Sequence, residues 1–312
     1  MIRYVKHQDI DPQRWDNAVK NSANSSVFGT YDMLGILSGE RCWDAVIEDN
    51  YVRVMPLPHR SKLGVPYIYT PFFFPRLGIF SKTKTDAETT LKFFNTIPSR
   101  FLQVDLIFNT LNETSKLPEN QIQLVSHQLE LQVGYDALYA RFSQNTRRNI
   151  KSAEKHFLTL ENNPDLVSEI ILLFQNNRGK DGNVHFKETD YHNLNLAAQY
   201  LLKQDCLEVV GVRDGAQNLI AGALLVRDGQ RVWFWFSGRD ERAADSKPMF
   251  FLLNEFLKEK AGMDLILDFN GSINENVARL YRGFGGTPYP IVLLQHSRLK
   301  LLGKMKQILL NT

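Results

Sequence analysis

The amino-acid sequence predicts a mixed α/β fold of the α+β kind, in two related domains that each hold a mostly antiparallel central sheet flanked by helices. Three observations carry that prediction. The 312 residues suit two domains at about 100 to 200 residues each. Residues 207–213, 219–226 and 231–236 are β-rich runs separated by Asp214-Gly215 and Asp228-Gly229, dipeptides that favour hairpin turns. Around that meander the chain runs helices, three strands, helix, strand, helix, strand, and the first half repeats much of the order without a residue-level repeat. The expected domains are residues 1–130 and 131–312, with a basic terminal helix over 298–310 packing on either one.

In the first half, Ile2 and Tyr4 alternate as a strand, and Asp11-Pro12 opens a helix ahead of Trp15, Ala18 and Val19. A second helix is expected over 31–37, ended by Gly39. Strands follow at 43–47 and 51–57, with Asp49-Asn50 as their turn. Residues 64–80 set Tyr67, Tyr69, Phe72, Phe73, Phe74 and Phe80 among Pro66, Pro71 and Pro75. That pattern reads as a strand leaving into a rigid aromatic loop. A helix over 85–99, a strand over 101–108 and one or two strands over 121–131 complete this half.

In the second half, helical segments at 135–157, 166–176 and 191–203 precede the meander. Met249, Leu252, Leu253, Phe256 and Leu257 then recur at helical spacing, opened by Ser246 and Pro248 and closed by Gly262. Residues 265–269 read as a short buried strand. Ser272-x-x-Glu275 is a capping box for a helix through Val277, Leu280 and Tyr281 to Gly283, and a last strand covers 291–294.

Composition narrows the function classes. Hydrophobic residues at 43% and charged residues at 23% exclude a disordered tail and a membrane protein. The net charge of +3 is too small to make the whole surface bind nucleic acid, so an anion site must be local. Cys42 and Cys206 stand apart with no CxxC or Cys/His ligand spacing, which gives no disulfide framework, no metal site and an expected cytoplasmic location. His185 and His192 share the loop 179–193 with Asp181, Glu188 and Asp190, again without metal spacing; that loop reads as a flexible lid. No run reaches the roughly 18 to 20 apolar residues of a membrane span, and the first residues lack the apolar stretch of a secretion leader.

Three segments hold candidate functional residues. Over 145–155, Arg147, Arg148, Lys151 and Lys155 fall on one helical arc, and Ile150, Ala153 and Phe157 on the other. The cations suit phosphate, through the planar fork of arginine and the mobile charge of lysine, although a solvated helix face explains them as well. Residues 237–246 join a strand to a helix N-terminus, with Arg239 placed for an anion. Asp268 ends a buried strand before Asn270, where a carboxylate either accepts an amine proton or bonds loop amides. Tyr281 either protonates a leaving group or covers core.

These residues give the sequence its likeness to a known family. Thr146, Arg147, Arg148, Asn149, Ile150, Ala153 and Lys155 resemble a Thr-Arg-Arg-Asn-Ile-x-x-Ala-x-Lys helix of the tandem-domain FemABX-like branch of the GNAT acyltransferase superfamily. Asp268-Phe269-Asn270-Gly271-Ser272 and Tyr281-Arg282-Gly283-Phe284-Gly285-Gly286 resemble further pieces of that branch, and Ser237 to Asp240 stand where GNAT proteins begin their acyl-donor loop. Residues 239–246 differ from that loop in having no glycine. The resemblance implies two GNAT-like domains in tandem, the second catalytic and the first degenerate. It implies transfer of an acyl group, acetyl in the first instance, from acyl-CoA (acetyl-CoA) to a small-molecule or nucleotide-linked amine, without a metal. Alternative donors and roles are an aminoacyl-tRNA feeding a cell-wall precursor, or a catalytically inactive module that binds RNA or a phosphorylated ligand. On this reading Asp268, Tyr281 and Arg282 are catalytic, while Arg147, Arg148, Lys151, Arg239 and Asn270 bind substrate or phosphate.

Overall fold

The computed structural model describes residues 1–39, 41–118, 120–177, 179, 186–270 and 275–298. The chain begins with β1 (Ile2–Val5), α1 (Pro12–Lys20), α2 (Tyr31–Ser38), β2 (Trp43–Glu48), β3 (Arg53–Lys62) and β4 (Val65–Tyr69). It continues through β5 (Phe80–Ser81), α3 (Ala87–Asn95), β6 (Gln103–Phe108), β7 (Gln121–Glu130), α4 (Tyr135–Arg141) and α5 (Gln144–Ala153). Next come β8 (Thr159–Asn162), α6 (Val167–Asn176), α7 (Glu188–Lys203), β9 (Leu207–Arg213), β10 (Leu219–Asp228) and β11 (Arg231–Arg239). The last elements are α8 (Pro248–Lys260), β12 (Ile266–Asp268), α9 (Glu275–Gly283) and β13 (Thr287–Ser297).

Contacts divide the chain into two compact units, Met1–Leu124 joined by the chain from Pro290, and Val125–Tyr289. The first unit orders its strands β1-β2-β3-β4-β6-β13, and the second orders its own β8-β9-β10-β11-β12-β7. Along each list the pairing is antiparallel three times, then parallel, then antiparallel. A helix makes each parallel connection, α3 between β4 and β6 and α8 between β11 and β12.

The first core gathers Val46, Leu57, Ile68, Phe93, Phe101 and Val104. The second gathers Leu225, Phe234, Leu267, Phe269 and the inner face of α8. On α8, Leu252, Leu253, Phe256 and Leu257 are buried, each contributing about 1.5 to 3 kcal/mol. Pro248 stands at the start of α8, and the chain leaves after Ala261 through Gly262 at φ +83°.

The expected helix over 135–157 is two helices. Phe142 is extended at φ −66° and ψ +139°, and the Ser143 side chain caps α5 by accepting from the Thr146 N–H at 3.1 Å. Because α5 ends at Ala153, Phe157 leaves the apolar face assigned to it and is exposed at φ +50°. Ser272 of the expected capping box, His185 and the expected helix over 298–310, beyond Arg298, lie outside the described residues.

Candidate active site

The parallel ladder of β11 and β12 ends at Trp233 and Asp268. Beyond it β11 continues to Arg239, whereas Phe269 turns its N–H to the His127 carbonyl on β7 at 2.9 Å. A cleft of about 360 Å³ opens beside the free end of β11. Phe234, Met249, Phe250, Leu280 and Tyr281 give it apolar walls; Asn145, Thr146, Asn177 and Ser237 add neutral polar groups. Among the described residues, Arg239, Lys247 and Arg279 are its charged groups, and no Asp or Glu lines it. Such a wall favours an anion with an apolar part.

Two glycines let the surrounding helices come this close. A Cβ on Gly238 would stand 2.3 Å from the Ile170 carbonyl oxygen and 2.8 Å from the Phe174 nitrogen, so α6 lies directly on β11 and delivers Phe174 and Asn177 to the cleft. Asn177 Nδ2 then donates to the Arg239 carbonyl at 3.1 Å. A Cβ on Gly283 would meet Thr146 Oγ1 at 2.4 Å, and the Ser143 N–H donates to the Gly283 carbonyl at 2.8 Å. The start of α5 is thereby locked to the end of α9, which sets Asn145 and Thr146 beside Leu280 and Tyr281.

Of the residues expected from sequence, Tyr281 and Arg239 line the cleft. The Tyr281 ring is buried and stacks on Phe269, centroids 4.4 Å apart at 19°, with Phe234 edge-on at 6.2 Å. Asp268 is 0% exposed and is not a cleft residue. Its Oδ2 accepts from Arg231 Nη1 and from the Tyr289 hydroxyl, both at 2.5 Å, and its Oδ1 from Ser126 Oγ at 3.2 Å and the Asn270 N–H at 3.0 Å. Asn270 stands at φ +56° in that turn, where the short polar side chain tolerates the left-handed region.

The remaining expected residues also lie away from the cleft lining. Arg282 is held by Glu275. Arg147 turns back to the end of α4, donating from Nη2 to the Ala140 carbonyl at 2.7 Å with its guanidinium 5.4 Å over the Tyr139 ring. Unpaired carbonyls at a helix end attract such a cation. Arg148 and Lys151 are exposed on α5. The common cationic arc expected over 145–155 therefore loses Arg147, because the break at Ser143 puts the end of α4 within its reach.

Sequence reasoning missed Lys247, Arg279 and His127. Lys247 precedes Pro248 at φ +54°, and a residue before proline is pushed out of the α region, a usable signal. Arg279 lies four positions from Glu275 and three from Arg282 on α9, the spacing of one helix face, which is a usable signal. His127 is 1% exposed with neither ring nitrogen hydrogen-bonded among the described residues. Burial, reinforced by Arg282, holds its pKa below the usual 6.5 and keeps the ring neutral.

The 240–246 loop closes on itself. The Arg242 N–H donates to Asp240 Oδ1 at 2.9 Å, the Ala243 N–H to the Asp240 carbonyl at 3.3 Å and the Lys247 N–H to the Ala244 carbonyl at 3.4 Å. Asp240 also holds the Arg242 guanidinium, Nη2 to Oδ2 at 2.7 Å. These loop amides are thus taken up within the loop, whereas Arg239, Lys247 and Arg279 line the cleft. Among the described residues no group of three His, Cys, Asp or Glu side chains is placed to hold a metal ion, and no helix is long and apolar enough to cross a membrane.

Residues 140–273, which hold most of this site, match the family described as Acetyltransferase (GNAT) domain. No curated protein sequence matches the chain. Among solved structures, FemX is similar at 13% identity and a TM-score of 0.62, covering 97% of this chain and 99% of FemX. L-PGS from Bacillus licheniformis is similar at 10% identity and 0.54, covering 96% of this chain and 95% of its own. A conserved protein of unknown function from Bacteroides thetaiotaomicron VPI-5482 is similar at 11% identity and 0.54, covering 94% and 100%. Residues 140–273 thus carry the match to a GNAT-type acetyltransferase domain, and the whole chain, with its strand pairing repeated in two units, has a FemX-like fold.

Proposed function

We propose that the second unit transfers an acyl group, acetyl in the first instance, from acyl-CoA to an amine. The observation that carries this reading is the cleft at the parting of β11 and β12, lined among the described residues by three cations and no carboxylate. Phosphates of the donor rest on Arg239, Lys247 and Arg279, and the acyl thioester lies against Phe234, Leu280 and Tyr281. The amine nitrogen attacks the thioester carbonyl, the C–N bond forms, and the C–S bond breaks. The departing thiolate takes a proton from the Tyr281 hydroxyl, while the proton lost by the amine passes to solvent and restores the tyrosine. Asp268 acts on this reaction as a positioning residue, since its partners tie β7 and β11 to the turn that follows β12.

Binding and turnover test the reading separately. Acetyl-CoA is expected to raise the melting temperature of the chain, and Arg239→Ala to weaken that effect by about 10- to 100-fold in Kd, as for a charge-assisted bond worth about 1.5 to 3 kcal/mol. Tyr281→Phe is expected to lower kcat with acetyl-CoA binding kept. A chain that neither binds an acyl-CoA nor acylates any amine would sink the proposal.

A second reading rests on the cations of α5. Arg148, Lys151 and Lys155 are exposed on the segment whose Asn145 and Thr146 line the cleft. They suit the backbone of an aminoacyl-tRNA donor. Salt-sensitive tRNA binding that Arg148→Glu/Lys151→Glu abolishes, with acetyl-CoA inert, favours that donor.

A further inference from the structure

The β3–β4 hairpin of the first unit carries a turn whose side chain contradicts its backbone. Lys62 pairs with Val65, leaving Leu63 and Gly64 as a two-residue loop at φ +52° and φ +79°. Positive φ at both positions is the turn that Asn-Gly or Asp-Gly forms without strain. Leucine there is strained by its Cβ, and it is also 87% exposed. Neither the turn nor the core of this unit explains an aliphatic residue at that position.

The surroundings point the same way. Val65, next to the turn, is 36% exposed. In the ladder Arg60 faces Tyr67 and Lys62 faces Val65, so strand alternation puts Arg60, Lys62, Val65, Tyr67 and Tyr69 on one face. The Arg60 guanidinium lies 4.9 Å over the Tyr69 ring, and Tyr67 and Tyr69 are 5.6 Å apart. Of the cations between Asp49 and Asp86, Arg60 and Lys62 belong to this face, while Arg53 and Lys84 pair with Glu48 and Glu113; Asp105 opposes Tyr69 at the end of β4 away from the turn. An aliphatic tip with two cations beside it and tyrosines behind is the layering of a membrane interface, where apolar groups enter below the headgroups, tyrosine sits at their level and cations meet lipid phosphate.

We infer that the β3–β4 hairpin docks the protein on an anionic lipid surface, with Leu63 and Val65 entering the headgroup layer. Nucleic acid would meet the same cations, but its backbone offers nothing to bury the leading aliphatic side chains, and base stacking would call for an aromatic tip. The inference is independent of the donor used in the cleft.

The full chain is mixed with phosphatidylcholine vesicles, with and without added phosphatidylglycerol, and sedimented. Expected is co-sedimentation that requires phosphatidylglycerol and weakens with salt. Arg60→Glu/Lys62→Glu should lower it by about tenfold or more, from about fivefold for each cation. Leu63→Asn is the decisive variant. It should lower vesicle binding by about tenfold while the melting temperature stays equal or rises, because asparagine accepts the left-handed turn. A Leu63→Asn protein that melts lower and binds vesicles as before would assign the leucine to folding and overturn the inference. Equal sedimentation with neutral vesicles, or binding of an RNA oligonucleotide in place of vesicles, would overturn it too.

Discussion

Asp268 accepts from donors on β7, on β11, in its own turn and from Tyr289. The sequence left its carboxylate with two readings, proton acceptor or structural anchor, because a strand-ending Asp before Asn-Gly suits both. What separates them is burial and partner number, which no local pattern encodes. Asp268→Asn removes the charge facing Arg231 and is expected to cost about 3 to 5 kcal/mol, as when one partner of a buried pair is lost. Thermal denaturation would show this as a lower melting temperature, with the pH profile of acyl transfer unmoved in shape. Retained melting temperature with acyl transfer lost would make Asp268 a catalytic group instead. His127 was invisible for a related reason: in 121–131 it reads as one polar position of a strand, and only the packing of α9 shows that its ring is buried.

At the level of elements, hydrophobic period and turn chemistry read well. The meander strands, α8 and α9 lie where Asp-Gly turns, Pro248 and apolar spacing put them. The expected helix over 135–157 failed at Ser143, because its helical apolar pattern runs on through a residue whose side chain prefers to cap. The short β8, Thr159–Asn162, was not read at all; its burial alternates little, and it forms by pairing with β9. Close approach is the element-scale property on which the cleft depends most. Gly238→Ala puts a Cβ 2.3 Å from the Ile170 carbonyl oxygen, which forces α6 off β11 at about 1 to 3 kcal/mol. The expected outcome is a lower melting temperature and weaker binding of anionic donors, through Phe174 and Asn177, in a protein whose Arg239 is intact. An unchanged thermal shift with acetyl-CoA would show that α6 does not shape the site.

Across the whole molecule, the duplication inferred from element order reappears as the same succession of pairing senses among the strands of each unit, but the two differ where the parallel strands part. In the first unit that place is filled. Thr70 continues the β4–β6 contact, its N–H donating to the Asp105 carbonyl and its Oγ1 accepting from the Ile107 N–H, both at 2.8 Å. Leu77 then bridges to Phe108, with Phe74, Leu77, Ile79 and Phe80 buried. The aromatic, proline-rich run was legible as a rigid loop, yet not as the cover over the end of β6, since that depends on which strands it lies against. Protonation also acts at this scale. Burial lowers the pKa of His7, His127 and His296 from 6.5. Below that value the unfolded chain binds protons that the folded chain refuses, so stability falls as pH falls through the window beneath 6.5 and is fully present above it. Melting temperatures between pH 7.5 and 5.5 should decline accordingly. His127, the most buried of the three, contributes at most about 1.4 kcal/mol per pH unit. His127→Phe, which keeps a ring in the same core and removes the titrating group, should flatten the slope; an unchanged slope would mean that the other two histidines, or protonation of carboxylates, set the acid limit.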